Sequence, residues 1–339
     1  MGGTAKRVEG TMREPPFWWQ PAGLAAVLLS PLAVAYGAIA SARIARPGHA
    51  AGIPVVCVGN LTLGGAGKTP TAIAVTQILD AAARRPFVLS RGYGGDLAGP
   101  VRVDPAKHAA GEVGDEPLLL ARFASTIVAR DRVAGAAAAQ AAGAGSIVMD
   151  DGFQNPSLKK DRSILVVDGG RGIGNGKVFP AGPLRAPLQS QFRHAQAVLV
   201  IGPGAPGEAV AAVARERGLQ VFRGRLVPDT QALAALKGHR VLAFAGIGDP
   251  EKFFGTLRDA GIEIGAAIPF PDHHRYRRIE AGDLIARAER EGLVPVTTEK
   301  DMARLAGQDD LAALAGLARA LPVTLEVAEP AAFRDWVLT

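Results

Sequence analysis

Short apolar runs, broken by Gly, Pro and Asp, recur along this chain with the spacing of an α/β protein. Residues 53–58, 85–90, 125–129, 145–149, 164–167, 197–201 and 221–227 each read as a buried strand bounded by turn residues. Residues 70–83, 116–123 and 132–142 carry helix-like patterns between them, and this alternation predicts a parallel sheet with helices on both faces. Pro228-Asp229 interrupts the series, and a second one follows. Its strands fall at 240–245, 262–268, 294–297 and 323–327, and its helices at 233–236, 250–260 and 281–291. The pattern predicts an N-terminal segment over 1–46, an α/β/α core domain over 47–229 and a second, smaller α/β/α domain over 230–339.

The N-terminal segment differs in kind. Residues 17–42 contain no charge, a length sufficient to cross a bilayer. Ala and Gly dominate, however, and Pro31 interrupts the middle. Trp18, Trp19 and Tyr36, with Arg43 and Arg46, set aromatics and cations at the edges, as an interfacial anchor does. Lys6, Arg7 and Arg13 lie on the other side, so the positive-inside rule gives no orientation. A half-embedded or interfacial helix leads over a full span. A buried core helix and a signal peptide cut after Ala33-Val34-Ala35 are the rivals.

Residues 58–71, VGNLTLGGAGKTPT, join a strand to a helix start through a glycine-rich turn. Backbone N–H groups at Gly64, Gly65, Ala66 and Gly67, together with a helix N-terminus opening near Pro70, make a phosphate cradle. Lys68 is placed to neutralise β/γ oxygens and Thr69 to ligand Mg²⁺, so the expected ligand is a nucleoside triphosphate. Thr62 stands where the strict P-loop pattern has glycine. A nucleotide site also argues against the signal peptide, which would deliver it to a compartment that normally lacks ATP.

With 339 residues and 48% apolar content the chain can build a substantial core. The formal charge of +6 suits an acidic partner such as a nucleotide, a phosphorylated substrate or a phospholipid surface. Nucleic acid is not expected, because no dense basic tract interleaved with aromatics occurs. Cys57 is the single cysteine, so no intramolecular disulfide can form, and it reads as a small buried residue.

Further candidate chemistry lies where predicted strands end. SIVMDDGFQ closes a strand with Asp150 and Asp151, where P-loop enzymes hold Mg²⁺. Successive strand residues face opposite ways, so both aspartates reach the phosphates only if the strand has ended between them. Asp115, in GDEP, is either a helix N-cap or a catalytic acid. Arg91, Arg130 and Arg132 follow strands and are candidate phosphate ligands. In PDHH, His273 or His274 is a candidate for proton transfer, while zinc is not expected, for want of a third ligand. TTEKD, with Glu299 and Asp301, reads either as a nucleotide or cleft-closing contact or as a helix cap.

Taken together, these motifs resemble the tetraacyldisaccharide 4′-kinase (lipid A 4′-kinase) family of Gram-negative bacteria. GNLTLGGAGKTP, LSRGYGG, GDEP, DDGFQ, FPAGPLR, FPDHH and TTEKD follow a Trp-rich apolar N-terminus in the family's order. The resemblance implies transfer of the ATP γ-phosphoryl group to the 4′-hydroxyl of an acylated disaccharide 1-phosphate in lipid A biosynthesis. It also implies two α/β/α domains joined by a two-stranded linker, and peripheral or monotopic attachment to the cytoplasmic face of the inner membrane. By the same resemblance, Thr62, Gly64, Gly65, Ala66, Gly67, Lys68, Thr69, Pro70, Glu299 and Asp301 serve the nucleotide. Thr69, Asp150 and Asp151 serve Mg²⁺, with Lys68 and Asp151 catalytic. Asp115 paired with His273 accepts the sugar proton, and Arg91, Arg132 and Arg185 meet substrate or transferring phosphates. No obligate protein partner is implied. Many family members have His and Glu where this chain has Asn155 and Ala186, and a neutral Asn cannot accept and release protons as His can. A P-loop switch or metallochaperone and a soluble small-molecule kinase remain the rival functions.

Overall fold

The computed structural model describes residues 14–339, so Lys6, Arg7 and Arg13 lie outside the described residues. Thirteen strands among these residues form two sheets. In chain order they are β1 (Val55–Asn60), β2 (Pro86–Ser90), β3 (Val101–Arg102), β4 (Thr126–Val128), β5 (Ser146–Asp150), β6 (Arg162–Asp168) and β7 (Ala197–Ile201). β8 (Gln220–Pro228), β9 (Arg240–Ala245), β10 (Glu263–Pro269), β11 (Val294–Thr298), β12 (Arg319–Leu321) and β13 (Val323–Val327) follow.

The large sheet runs β13-β8-β7-β6-β1-β5-β2-β4-β3 and the small one β10-β9-β11-β12. β1, β2, β5 and β7 are buried at every position, which is why their sequences read as continuous apolar runs rather than alternating ones. The small sheet is wholly parallel. The large one is mixed, because β3 and β13 pair antiparallel at its two edges.

β13 corrects the predicted division. Its run reads as part of the second series, yet it lies beside β8 in the large sheet, with Val323 opposite Pro228 and Val327 opposite Gly224. The closing helix, Pro330–Leu338, goes with it, and Phe333 and Trp336 pack around Phe222 at ring distances of 5.1 and 6.0 Å. The second unit is therefore an insertion between β8 and β13, and these two strands are the paired connection to it. An apolar run specifies burial but not which sheet buries it.

Helix α1 (Leu24–Ile44) lies on the surface. Ala26, Ala33, Gly37 and Ile44 are buried, while Leu24, Leu28, Val34 and Ile39 are each at least 70% exposed. Tyr36 packs edge-on against Phe179 at 5.3 Å, and Trp18 donates to the Pro180 carbonyl at 3.0 Å, which ties the segment to the core domain. The buried-core-helix rival fails on this exposure. Cys57 is fully buried, and its thiol is pushed up to about 12 by burial, so it is inert packing.

Candidate active site

β1 feeds directly into the glycine-rich turn, and helix α2 (Lys68–Ala81) starts two residues before the predicted position. Gly67 explains the early start. It caps the helix in the left-handed region at φ 89°, which glycine adopts without the strain a side chain would bring. Lys68 and Thr69 thereby join the first turn, where backbone N–H groups are free, and Pro70 is tolerated for the same reason. Thr62 needs no glycine. It sits in a short antiparallel bridge with Leu184, and its carbonyl accepts from Arg185 Nε at 2.9 Å.

β5 ends at Asp150, and Asp151 turns to φ 50°, which re-aims its side chain so that both aspartates line one cleft. The two acids have opposite surroundings. Neither carboxylate oxygen of Asp150 has a partner, and burial, with Glu116 and Asp151 nearby, pushes it up to about 8. Asp151 Oδ2 lies 3.2 Å from an Arg185 guanidinium nitrogen and 3.8 Å from Lys68 Nζ. Burial alone would raise Asp151, but these two cations overrule it and hold the acid below its ordinary value.

Asp115 is the second residue cluster. It is not an N-cap, because Gly114 takes that place at φ 90° and Asp115 opens the helix Asp115–Leu120. Only 5% exposed, it accepts from Arg304 Nε at 2.8 Å and Nη2 at 2.5 Å, and lies 3.2 Å from His273 Nδ1. Burial would raise this carboxyl, but the Arg304 charge and the His273 contact hold it far below the carboxylate range. His273 sits at φ 55° with Tyr93 edge-on at 5.0 Å. Burial would lower its pKa, but the hydrogen bond and charge of Asp115 raise it instead.

Sequence reading missed Arg304, Glu116 and Lys300. Lys300, next to Glu299, forms an ion pair with Glu116, whose other neighbour is Thr69 Oγ1 at 3.4 Å. Arg304 lies three residues beyond Asp301 on the helix Glu299–Leu305, and that i,i+3 spacing was the available signal. Asp301 itself is corrected. Predicted at the nucleotide, it is 0% exposed and accepts from Gly246 N, Tyr276 Oη, Thr298 Oγ1 and Arg304 Nη1 at 2.6 to 3.0 Å. No capacity remains for a ligand. Thr298 also caps the helix by accepting from Asp301 N, so the cap reading of TTEKD holds for these two residues. Glu299 does line the cleft, 3.4 Å from Arg122.

The cleft holds about 770 Å³ between the two units, and Gly64, Gly65, Ala66, Gly67, Thr69, Pro70, Arg91, Arg132, Arg185 and His273 are on its wall. The two units approach at backbone level, since a Cβ on Gly248 would come within 3.2 Å of Gly65 N. Arg171 bridges the units, 2.8 Å from Asp249 and stacked 4.9 Å above Trp19. His274 is spent elsewhere, 3.0 Å from Glu280 and stacked on Phe270 at 4.7 Å. Asn155 accepts from Ser157 N and Oγ at 2.8 and 2.6 Å, and Ala186 is fully buried.

A family model described as LpxK, tetraacyldisaccharide-1-P 4′-kinase, matches residues 25–339. The chain is similar to the tetraacyldisaccharide 4′-kinase of Methylobacterium nodulans, with 59% identity over 320 residues, 94% of this chain and 93% of that protein. The Rhodopseudomonas palustris (strain BisA53) protein of the same description is 55% identical over 327 residues, 96% of this chain and 95% of that one. The crystal structure of LpxK from Aquifex aeolicus in complex with ATP matches with a TM-score of 0.71 at 25% identity, covering 92% of this chain and 98% of that one. The mixed large sheet, the inserted small sheet and the apolar N-terminal helix are thus an LpxK-like fold, and the chain belongs to the tetraacyldisaccharide-1-P 4′-kinase family.

Proposed function

We propose that this protein transfers the γ-phosphoryl group of ATP to the 4′-hydroxyl of a tetraacyldisaccharide 1-phosphate, a step of lipid A biosynthesis. One observation carries the reading. A P-loop from one unit and His273 from the other, held from behind by Asp115, meet at one cleft, and α1 places Tyr36, Ile39 and Arg43 on its wall.

Phosphoryl transfer rests on positioning and charge neutralisation, which this wall supplies. Glycine N–H groups and the α2 N-terminus seat the donor phosphates, and Lys68 neutralises their outer oxygens. Thr69, Asp150 and Asp151 are the residues that would hold Mg²⁺. The two orphaned oxygens of buried Asp150 fit a cation, because leaving them unpaired is costly. When bound, the ion neutralises charge developing on the phosphates. Arg185, fixed by Thr62 and Asp151, and Arg91 and Arg132 are placed for substrate or transferring phosphates.

In this reading His273 takes the hydroxyl proton. Asp115 is sealed from the cleft and held ionised by Arg304, so it orients Nδ1–H of His273 and stabilises the imidazolium that forms. Nε2 of His273 is then the nitrogen left for the acceptor. The exposed apolar stripe of α1 supports seating at the cytoplasmic face of the inner membrane, where the acyl chains remain in the bilayer.

The test is incubation with γ-labelled ATP, Mg²⁺ and the acylated disaccharide 1-phosphate in mixed micelles. Label on the sugar supports the assignment. Hydrolysis of ATP without sugar labelling rejects it and favours a nucleotide-dependent switch.

A further inference from the structure

The helix Glu299–Leu305 carries a lysine where its own stability disfavours one. Lys300 is its second residue, at the positive end of the helix dipole, where a cation is unfavourable. Its side chain, 26% exposed, leaves the inserted unit and forms an ion pair with Glu116 Oε1 on the core helix Asp115–Leu120. Among the described residues that oxygen is its one acceptor, so two of its three ammonium donors remain for a ligand. Arg304, one turn further along the same helix, has every nitrogen engaged by Asp115, Asp301 and the Gly246 carbonyl. Lys300 is the exception on that helix.

The neighbours of Lys300 belong to the reaction. Glu116 Oε1 also lies 3.4 Å from Thr69 Oγ1, in the first turn of α2. Asp115, the residue before Glu116, lies 3.2 Å from His273 Nδ1. Two successive core residues thus hold two groups that the inserted unit brings to the cleft, His273 for the acceptor and Lys300 beside the phosphate loop. Lys300, Thr69, Lys68, Asp150 and His273 line the same cavity. The Lys300 charge favours ionisation of Asp115, Asp150 and Asp151 and opposes that of His273, so it acts on both sides of the reaction.

Lys68 meets these carboxylates from the core side, 3.8 Å from Asp151. On the inserted side Lys252 also reaches the cavity, but Asp168 occupies it. A phosphoryl group in transfer spreads its charge over three equatorial oxygens, so cations on the loop side alone leave part of it uncovered.

We propose that Lys300 is a further catalytic residue, a cation that the inserted unit delivers to the non-bridging oxygens of the transferring phosphoryl group. The inference rests on the kinase reading above and deepens it. In the transfer, the acceptor oxygen bonds to phosphorus as the bond from the β,γ-bridging oxygen breaks, and that electron pair leaves with ADP. The hydroxyl proton goes to Nε2 of His273. Lys300 stays protonated throughout; its ammonium turns from Glu116 toward a γ-oxygen and neutralises charge there. His273 and Lys300 sit on one unit, so base and charge clamp arrive together, which ties transfer to a closed cleft.

The experiment compares the wild type with Lys300→Met, Lys300→Gln and Lys300→Arg. Calorimetry reads the binding of ADP and of a non-hydrolysable β,γ-imido analogue of ATP, each with Mg²⁺, and the labelled-ATP micelle assay reads kcat. Expected for Lys300→Met is a kcat lower by about 10²- to 10³-fold and an analogue affinity weaker by about 10-fold, with ADP affinity within about two-fold of wild type. Lys300→Gln, which keeps a donor toward Glu116, gives the same losses and stands in if the Met variant does not fold. Lys300→Arg recovers part of both, because the charge is kept. Equal weakening of the two nucleotides with a lowered thermal midpoint overturns the proposal and makes the pair a brace between the units. So does a kcat within about two-fold of wild type. A wild type that labels no sugar, yet prefers the analogue over ADP through Lys300, is a different result. It removes the kinase reading and leaves the γ-phosphate contact standing.

Discussion

The two walls of the cleft are built on opposite principles. On the core-domain side, polar atoms are left without partners: both oxygens of Asp150, Oδ1 of Asp151 and Nε of Arg132. On the inserted side they are saturated, with Asp301 accepting four hydrogen bonds and Arg304 bonded to Asp115, Asp301 and the Gly246 carbonyl. A wall with buried polar atoms left unpaired has capacity for ligands, whereas a saturated wall has little left to offer. The first therefore binds and the second positions. His273 stands at their meeting point, carried by the inserted unit and tuned by Asp115 of the core.

Substitutions that exchange the character of the walls test this contrast. Arg304→Ala has the largest expected effect on folding. It leaves Asp115 and Asp301 buried without their cation, a loss of about 3–5 kcal/mol, read as a lowered denaturation midpoint. Lys68→Ala, on the ligand side, leaves the thermal midpoint nearly unchanged but lowers kcat about 10³-fold in the labelled-ATP assay. A large fall in its midpoint instead would show that Lys68 is structural.

Asp115→Asn gives a smaller loss, about 10²-fold in kcat, and a displaced pH profile. His273 accepts a proton only when neutral, so activity rises with pH through its raised pKa. Removing the anion that raises it moves this acid limb to lower pH. The same linkage gives the ion pair its fullest stabilisation below the ordinary histidine pKa, lost as pH climbs through the raised value. An acid limb that does not move would separate Asp115 from His273 function. Asp150→Asn is the smallest in stability and opposite in sign. Replacing a desolvated acid, repelled by Glu116 and Asp151, stabilises the ligand-free protein by about 1 kcal/mol while Mg²⁺-dependent activity falls.

Local signals were legible in the sequence and long-range ones were not. The buried strands are read directly from their apolar runs, and the phosphate loop from its glycines. β13 went to the wrong unit because its residues carry no mark of their partner, β8. Asp115 and His273, 158 residues apart, were paired by family resemblance rather than by any local pattern. Arg304 and Lys300 escaped because their importance comes from contacts across the cleft, to Asp115 and Glu116. Asp301 drew attention as an acid in a motif, but burial turned it into a brace for Arg304 and Tyr276.

The β8–β13 pair has a consequence for how the chain is completed. Pro228 and Val323 face each other as the last residues of a hairpin whose turn is an entire folded unit. An unfolded loop of that length makes closure entropically costly, so the sheet edge and the Phe222–Trp336 cluster close more readily once the insert has condensed. Replacing residues 229–322 by a tight turn should therefore speed closure of the remaining sheet, at the cost of every group the insert brings to the cleft.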